Sequence, residues 1–305
     1  MLSPARRRLF AGLGFTSLWI VGLGVFTLYP VLASLYYSFC DYSILQRPVW
    51  IGLENYRRLA EDEVFRISLR NTLVYAAVSV PLGIVISLGL ALLLNCEMRG
   101  RAFFRTLFYL PSIVPVVASS MLWLWIFNGE YGLLNAALAP VLQLWGGAPP
   151  SWLGDPLWAK PALVLMSLWG VGNSMVIYLA GLQDVPRELY ESAELDGAGP
   201  LRRFWHVTLP MISPVVYFNV VMGLIGAMQV FTQAFVLSAA LNSGDGTLGS
   251  PARSTLFYAV QLYSTAFQDL RMGYASAMAW VFFVIVATLT WAANRIAARR
   301  VHYSS

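Results

Sequence analysis

Residues 184–210 read D-V-P-R-E-L-Y-E-S-A-E-L-D-G-A-G-P-L-R-R-F-W-H-V-T-L-P, the most charged window of an otherwise apolar chain. The carboxylates Glu188, Glu191 and Glu194 fall between Asp184 and Asp196, and Gly197 and Gly199 follow at once. Asp184 and Pro186 are helix-start signals. Leu189, Ser192, Ala193 and Asp196 recur at helical spacing, and Gly197 is placed to end that helix in a left-handed turn. Pro200 starts a second short helix carrying Phe204 and Val207, and Pro210 opens the next apolar run. Such a bent, charged knob can pair charges and dock. A solvated connecting loop would carry the same charges, so composition alone leaves both readings open.

A second constellation is uncharged. Asn219, Gly223, Gly226, Gln229 and Gln233 follow one another at three- or four-residue steps, which puts them on one helical face. Gly170 and Asn173 form a similar pair one apolar segment earlier. Polar groups in hydrocarbon are costly and face a bundle interior or an aqueous route. Neutral amides suit a route for sugars, whose hydroxyls pair with donor and acceptor groups. The same residues also suit helix–helix adhesion, in which small side chains allow close approach.

Other chemistries are poorly served. His206 and His302 do not cluster with cysteines, so no metal site has ligands at workable spacing, and no cofactor is expected. Lys160 is the only lysine and follows Ala159, so the phosphate-binding pattern G-x-x-x-x-G-K-[ST] is absent. If ATP is used, another subunit binds it. Cys40 and Cys96 lie near the ends of consecutive apolar segments, on opposite sides of a membrane crossing. A disulfide needs Cα atoms roughly 4.4–6.8 Å apart, so both are read as inert thiols.

The elements that position these residues are membrane helices. The chain is 58% hydrophobic and 11% charged, with mean hydropathy +0.64, against roughly 25% charged residues in soluble domains. Six segments are long and apolar enough to cross a core of about 30 Å: 13–37 with Pro30, 72–94 with Pro81, 107–127 with Pro111 and Pro115, 162–182, 211–237 and 274–293. The Arg6-Arg7-Arg8 start resembles a signal peptide, but the apolar run over 11–39 exceeds a signal core of about 7–15 residues. It reads as an uncleaved first span. With the N-terminus inside, one side holds 12 basic and 6 acidic residues and the other holds 8 and 9. Basic residues favour the cytoplasmic side, so both termini and 184–210 are expected there. Trp50, Trp145, Trp152 and Trp158 lie in or beside the longer outer loops, as an interfacial belt requires.

The run Glu191-Ser192-Ala193, Asp196-Gly197-Ala198 and Leu209-Pro210 resembles the EAA signature of permease subunits of bacterial ABC importers, with Ser192 in place of the usual first alanine. The resemblance extends over nearly the whole chain and is similar to the carbohydrate-uptake, maltose- and glycerol-phosphate-type branch. Its landmarks are Gly52-Leu53-Glu54-Asn55-Tyr56, Asn71-Thr72-Leu73, Phe104-Arg105, Leu110-Pro111, Trp152-Leu153 and Gly273-Tyr274-Ala275-Ser276-Ala277. The chain departs from that pattern before Thr255, where Gly249-Ser250-Pro251 replaces G-G-P after an extended loop over 242–248.

The resemblance implies an all-α, six-helix type I (MetI-like) permease: one membrane domain over 1–305, with 184–210 as its coupling loop in the bacterial inner membrane. It implies a second, related permease subunit, an ABC ATPase dimer and an extracytoplasmic solute-binding protein as partners, a lipid surround, and no nucleic acid. It assigns ATPase coupling to Glu191, Ser192, Ala193, Asp196, Gly197, Leu209 and Pro210, with no catalytic residue of its own. The candidate substrate path is Gly170, Asn173, Asn219, Gly223, Gly226, Gln229 and Gln233. The solute is expected to be a sugar, with glycerol phosphate or a polyamine as alternatives. An autonomous secondary transporter is the competing class, but no internal repeat or mid-span ionisable group supports it.

Overall fold

The computed structural model describes residues 4–144, 149–241 and 248–297. Trp145, His302 and 242–247 of the extended loop lie outside the described residues. The chain divides into two compact units, one comprising Met1–Asp62 and Leu262–Val284, the other Glu63–Gln261 and Ile285–Ser305.

In the first unit, α1 (Pro4–Gly22) passes through a widened π turn, Leu23–Leu28, into α2 (Tyr29–Ser38). Proline lacks the amide donor and crowds the preceding turn; here Tyr29 N–H reaches back to Gly24 O, and the helix continues rather than breaking at Pro30. A short antiparallel pair follows, β1 (Cys40–Asp41) with β2 (Val49–Trp50). It is the exception to an all-helical chain among the described residues. Next comes α3 (Glu54–Glu61), whose buried Asn55 amide donates to Ser38 O at 3.0 Å and Cys40 O at 2.9 Å. Tyr56 OH meets Ser38 Oγ at 2.7 Å, Gly273 N–H donates to Tyr42 O at 3.0 Å, and Tyr274 OH donates to Asp62 Oδ2 at 2.7 Å. The G-L-E-N-Y and G-Y-A-S-A landmarks are therefore hydrogen-bonding pins on one turn of chain.

The second unit is built on α4 (Glu63–Asn95), 33 residues long with Pro81 inside. It starts nine residues before the expected span, because the polar segment carrying Arg66 and Arg70 stays helical. After it come α5 (Arg101–Tyr109), a 3₁₀ turn Leu110–Ile113, α6 (Val116–Ile126) and α7 (Leu133–Leu144). Then follow α8 (Pro156–Trp169) and α9 (Gly172–Gln183). The charged window supplies α10 (Arg187–Leu195), α11 (Pro200–Arg203), a π turn Phe204–Thr208 and α12 (Leu209–Met211). The chain continues through α13 (Ser213–Met228), α14 (Thr232–Leu241), α15 (Tyr258–Tyr263) and α16 (Met272–Ala297), the last two shared between the units.

Four helical stretches are long and apolar enough to span a membrane: Gly12–Ser38, Glu63–Asn95, Ser213–Leu241 and Met272–Ala297. Two bent pairs make six if each counts as one span. Arg101–Ile113 and Val116–Ile126 meet at 100°, and Pro156–Trp169 and Gly172–Gln183 at 49°. The spans expected over 107–127 and 162–182 are thus each built from a bent pair of helices. At the first bend Val114 is extended, with ψ 131, as a residue before proline must be. At the second, Gly170 and Val171 interrupt the ladder.

The segment that departs from the family pattern is firmly held. Gly249 N–H donates to Ser238 Oγ at 2.6 Å, and Thr255 N–H donates to Gly249 O at 3.2 Å. Asn71 on α4 donates to Arg253 O at 2.8 Å and Leu256 O at 3.0 Å, and Thr72 Oγ1 accepts Tyr258 N–H at 2.9 Å. Replacing Asn71 with Leu strands both carbonyls, one of them fully buried. Loss of about 2 kcal/mol is expected, read as a lower thermal midpoint of the detergent-solubilised protein.

Candidate functional site

The charged window folds into a closed knob. Asp184 caps the end of α9 by donating its N–H to Ala180 O, rather than starting a helix. Pro186 is the N-cap residue of α10, with ψ 131. At the other end of α10, Gly197 N–H donates to Glu194 O and Ala198 N–H to Ala193 O, both at 2.9 Å. These are the paired bonds of a Schellman turn, and Gly197 sits at φ +75, which a side chain resists. Pro200 then occupies the first position of α11, where its missing N–H costs nothing.

Two links close the knob on itself. Arg203 pairs with Glu194, and Tyr190 OH meets Thr208 Oγ1 at 3.0 Å. Its base is apolar: Val185, Tyr190, Met211 and Ile212 pack with Leu94, Met175, Tyr178, Leu179 and Leu182. The knob therefore continues the packing of α4 and α9.

Its outer face is available. Glu188, Glu191 and Asp196 are exposed and form no ion pair among the described residues. Leu195 is 90% exposed and Leu201 72%, a costly arrangement in water for side chains of this size. Ser192 is turned inward on its own helix, donating Oγ to Glu188 O at 2.8 Å. Ala193 is half-buried, its carbonyl taken by the Schellman turn. Leu209 and Pro210 line a separate apolar groove beside Trp205 and Ile296. The exposed leucines went unread in the sequence because a lone Leu in a charged helix is indistinguishable from a core residue.

The second constellation opens onto a cavity of about 360 Å³ among α4, α8, α9 and α13. Gly170, Asn219, Gly223 and Gly226 line it, whereas Asn173, Gln229 and Gln233 do not. Asn173 and Gln229 are exposed elsewhere. The helical face divides because α13 ends at Met228 and the chain restarts at Thr232, so three- and four-residue steps lose their phase there.

Hydroxyls that sequence reasoning missed complete the lining: Tyr75, Ser79, Ser87, Ser167 and Ser174. Ser87 Oγ donates to Gly83 O at 2.6 Å, Ser167 Oγ to Val164 O at 2.7 Å, and the Asn219 amide to Val215 O at 3.0 Å. The two serine donors and one of the two Asn219 N–H groups are used on their own helices, which leaves the serine and amide oxygens as acceptors. Ser79 Oγ is buried beside the Tyr75 hydroxyl. Among the described residues, no carboxylate, guanidinium or ammonium lines the cavity. The four-residue step from Tyr75 to Ser79, continued to Ser87, was the available signal on α4. The arrangement offers acceptor oxygens and apolar walls to a neutral molecule rich in hydroxyl donors.

The family described as "Binding-protein-dependent transport system inner membrane component" matches residues 79–303. The chain is 40% identical to the probable ABC transporter permease protein YesP of Bacillus subtilis (strain 168), over 98% of this chain and 94% of that one. It is 34% identical to the lactose transport system permease protein LacF of Rhizobium radiobacter, covering 88% of each. It is 31% identical to the sn-glycerol-3-phosphate transport system permease protein UgpA of Yersinia pestis, over 99% and 100%. Among solved structures, a bacterial alginate ABC transporter in complex with an alginate pentasaccharide-bound periplasmic protein matches with TM-score 0.81 and 23% identity, covering 96% of each chain. That likeness extends the agreement to the fold.

Proposed function

The chain belongs to the family of binding-protein-dependent transport system inner membrane components, and from that premise we propose that its solute is a neutral sugar or short oligosaccharide. It is a multi-pass permease subunit of an ABC importer, a transport subunit and not an enzyme. The observation that carries the substrate class is the cavity bounded by Tyr75, Ser79, Ser87, Ser167, Ser174 and Asn219, which has acceptor oxygens and no charge. An anionic solute desolvated there would need a cation beside it. The lactose permease relative points the same way, while the glycerol-phosphate relative keeps an anion as the competing solute.

The partners follow from what this chain lacks and what it exposes. A separate ATPase supplies the hydrolysis, since the sequence carries no phosphate-binding loop. It docks on the knob through Glu191, Asp196 and the exposed Leu195 and Leu201. A second, related permease provides the other half of the path, and an extracytoplasmic binding protein delivers the solute. Both termini and the knob face the cytoplasm, the side with the basic excess. The single membrane domain then works with 184–210 as its coupling element.

Co-purification tests the assembly. The tagged chain is expected to bring down an ATPase and a second permease. Glu191→Lys is expected to keep the second permease while losing most of the ATPase, because a desolvated interfacial charge of the wrong sign costs several kcal/mol. Unaided, ion-driven uptake by the purified chain in liposomes would overturn the reading.

A further inference from the structure

A second groove, of about 530 Å³, runs on the outside of the bundle between α4 and α8. Val74, Val78 and Leu82 form one wall at four-residue steps, and Leu157, Val164 and Leu165 form part of the other. These side chains are open rather than packed: Leu157 is 80% exposed, and Val74, Val78, Leu82 and Leu165 are each about two-fifths exposed. Among the described residues one cation lines the groove, Lys160, with the Tyr75 phenol as its other ionisable group. Arg70 lies one turn before Val74 on the same side of α4, near enough that its charge repels that of Lys160. Neither cation has an ion-pair partner among the described residues.

Two uncompensated cations at one end of an apolar trough is an amphipathic arrangement. Residues 74–82 cover roughly 12 Å of helix rise, all of it on apolar span faces. Trp158, partly exposed and stacked edge-on against Trp152 with centroids 5.1 Å apart, stands at the same end as Lys160. Tryptophan at a span end marks headgroup depth, and long basic side chains reach to that depth while their stems lie along apolar surface. A protein partner would have to bury Arg70 and Lys160 with acids of its own. A lipid brings the phosphate and the chain in one molecule, and a phosphate accepts charge-assisted hydrogen bonds from both side chains.

We propose that the groove between α4 and α8 is a binding site for an anionic phospholipid, with Arg70 and Lys160 holding its phosphate and the apolar trough holding one acyl chain. The site rests on the membrane-spanning reading and is independent of which solute is carried.

The test uses the full chain purified with its associated subunits and placed in phosphatidylcholine nanodiscs. A small fraction of the lipid carries an acyl-chain diazirine, on phosphatidylglycerol in one sample and on phosphatidylcholine in the other. After irradiation, phosphatidylglycerol is expected to label peptides covering 74–82 and 157–168 about ten-fold more than phosphatidylcholine. Arg70→Gln with Lys160→Gln should bring that labelling down to the phosphatidylcholine level, whereas Arg70→Lys with Lys160→Arg should retain it. Val78→Trp, which fills the trough and leaves the charges, should lower it as well. Millimolar inorganic phosphate should leave the labelling unchanged, which separates a lipid headgroup from a free anion. Equal labelling by the two lipids, absence of label from both segments, an unaffected double Gln variant, or displacement by phosphate would each overturn the proposal.

Discussion

Gly197→Val is expected to abolish solute uptake while the protein still inserts and still carries its second permease. The turn at Gly197 has φ +75 and is closed by the bonds from Gly197 to Glu194 and from Ala198 to Ala193. A Cβ there would meet nothing within 4 Å, so the cost is one of backbone conformation, about 1–2 kcal/mol for an ordinary residue and more for a β-branched one. That is too little to unfold a protein of this size. It is enough to unwind the last turn of α10 and redirect the chain into α11. The redirected segment carries Leu195, Asp196 and Leu201, the exposed face through which the ATPase is proposed to dock. Gly197→Asn should restore much of the activity, because Asn visits the left-handed region at small cost. Uptake driven by ATP in reconstituted vesicles, together with the ATPase retained on purification, reads both variants. Normal uptake by the Val variant would mean that the knob is a solvated connection and that force reaches the helices elsewhere.

The parts of this molecule that were legible in the sequence are those in which one residue type does a local job. Gly197 ends a helix because of its own φ. Asn55 and Asn71, noted only as landmarks, are buried amides that each hold two backbone carbonyls. The six apolar stretches declared themselves through length and composition. What stayed hidden depends on the geometry between elements. Pro111 and Pro115 were plain to see, but a 100° bend between the helices they interrupt depends on what packs beside them. Gln229 and Gln233 looked continuous with Asn219 because periodicity assumes an unbroken helix, and the break after Met228 voids that assumption. The cavity serines were invisible for another reason. A serine that donates to its own helix, as Ser87 and Ser167 do, is tolerated anywhere in an apolar span, and only the convergence of α4, α8, α9 and α13 gives such residues a common purpose.

The cavity separates the transport-path reading from the adhesion reading through a single position. Gly223 faces Val80 of α4, and a Cβ added there would meet Val80 Cγ1 at 3.5 Å, an ordinary contact. Gly223→Ala should therefore fit. Replacing a mid-helix glycine should also raise stability by about 0.5–1 kcal/mol, with uptake largely retained. Gly223→Phe projects a ring into a space of about 360 Å³ that Ser79, Ser87 and Asn219 share. Uptake is expected to fall to background, with co-purification of the partner subunits and the thermal midpoint little changed. If α13 and α4 instead meet at Gly223 for adhesion, the order of effects inverts: Ala already lowers the thermal midpoint, Phe breaks the fold, and loss of uptake tracks loss of protein. The two substitutions differ in size at a position open on the cavity side. Their ratio of uptake at equal protein level therefore decides whether the polar lining is a route or a seam.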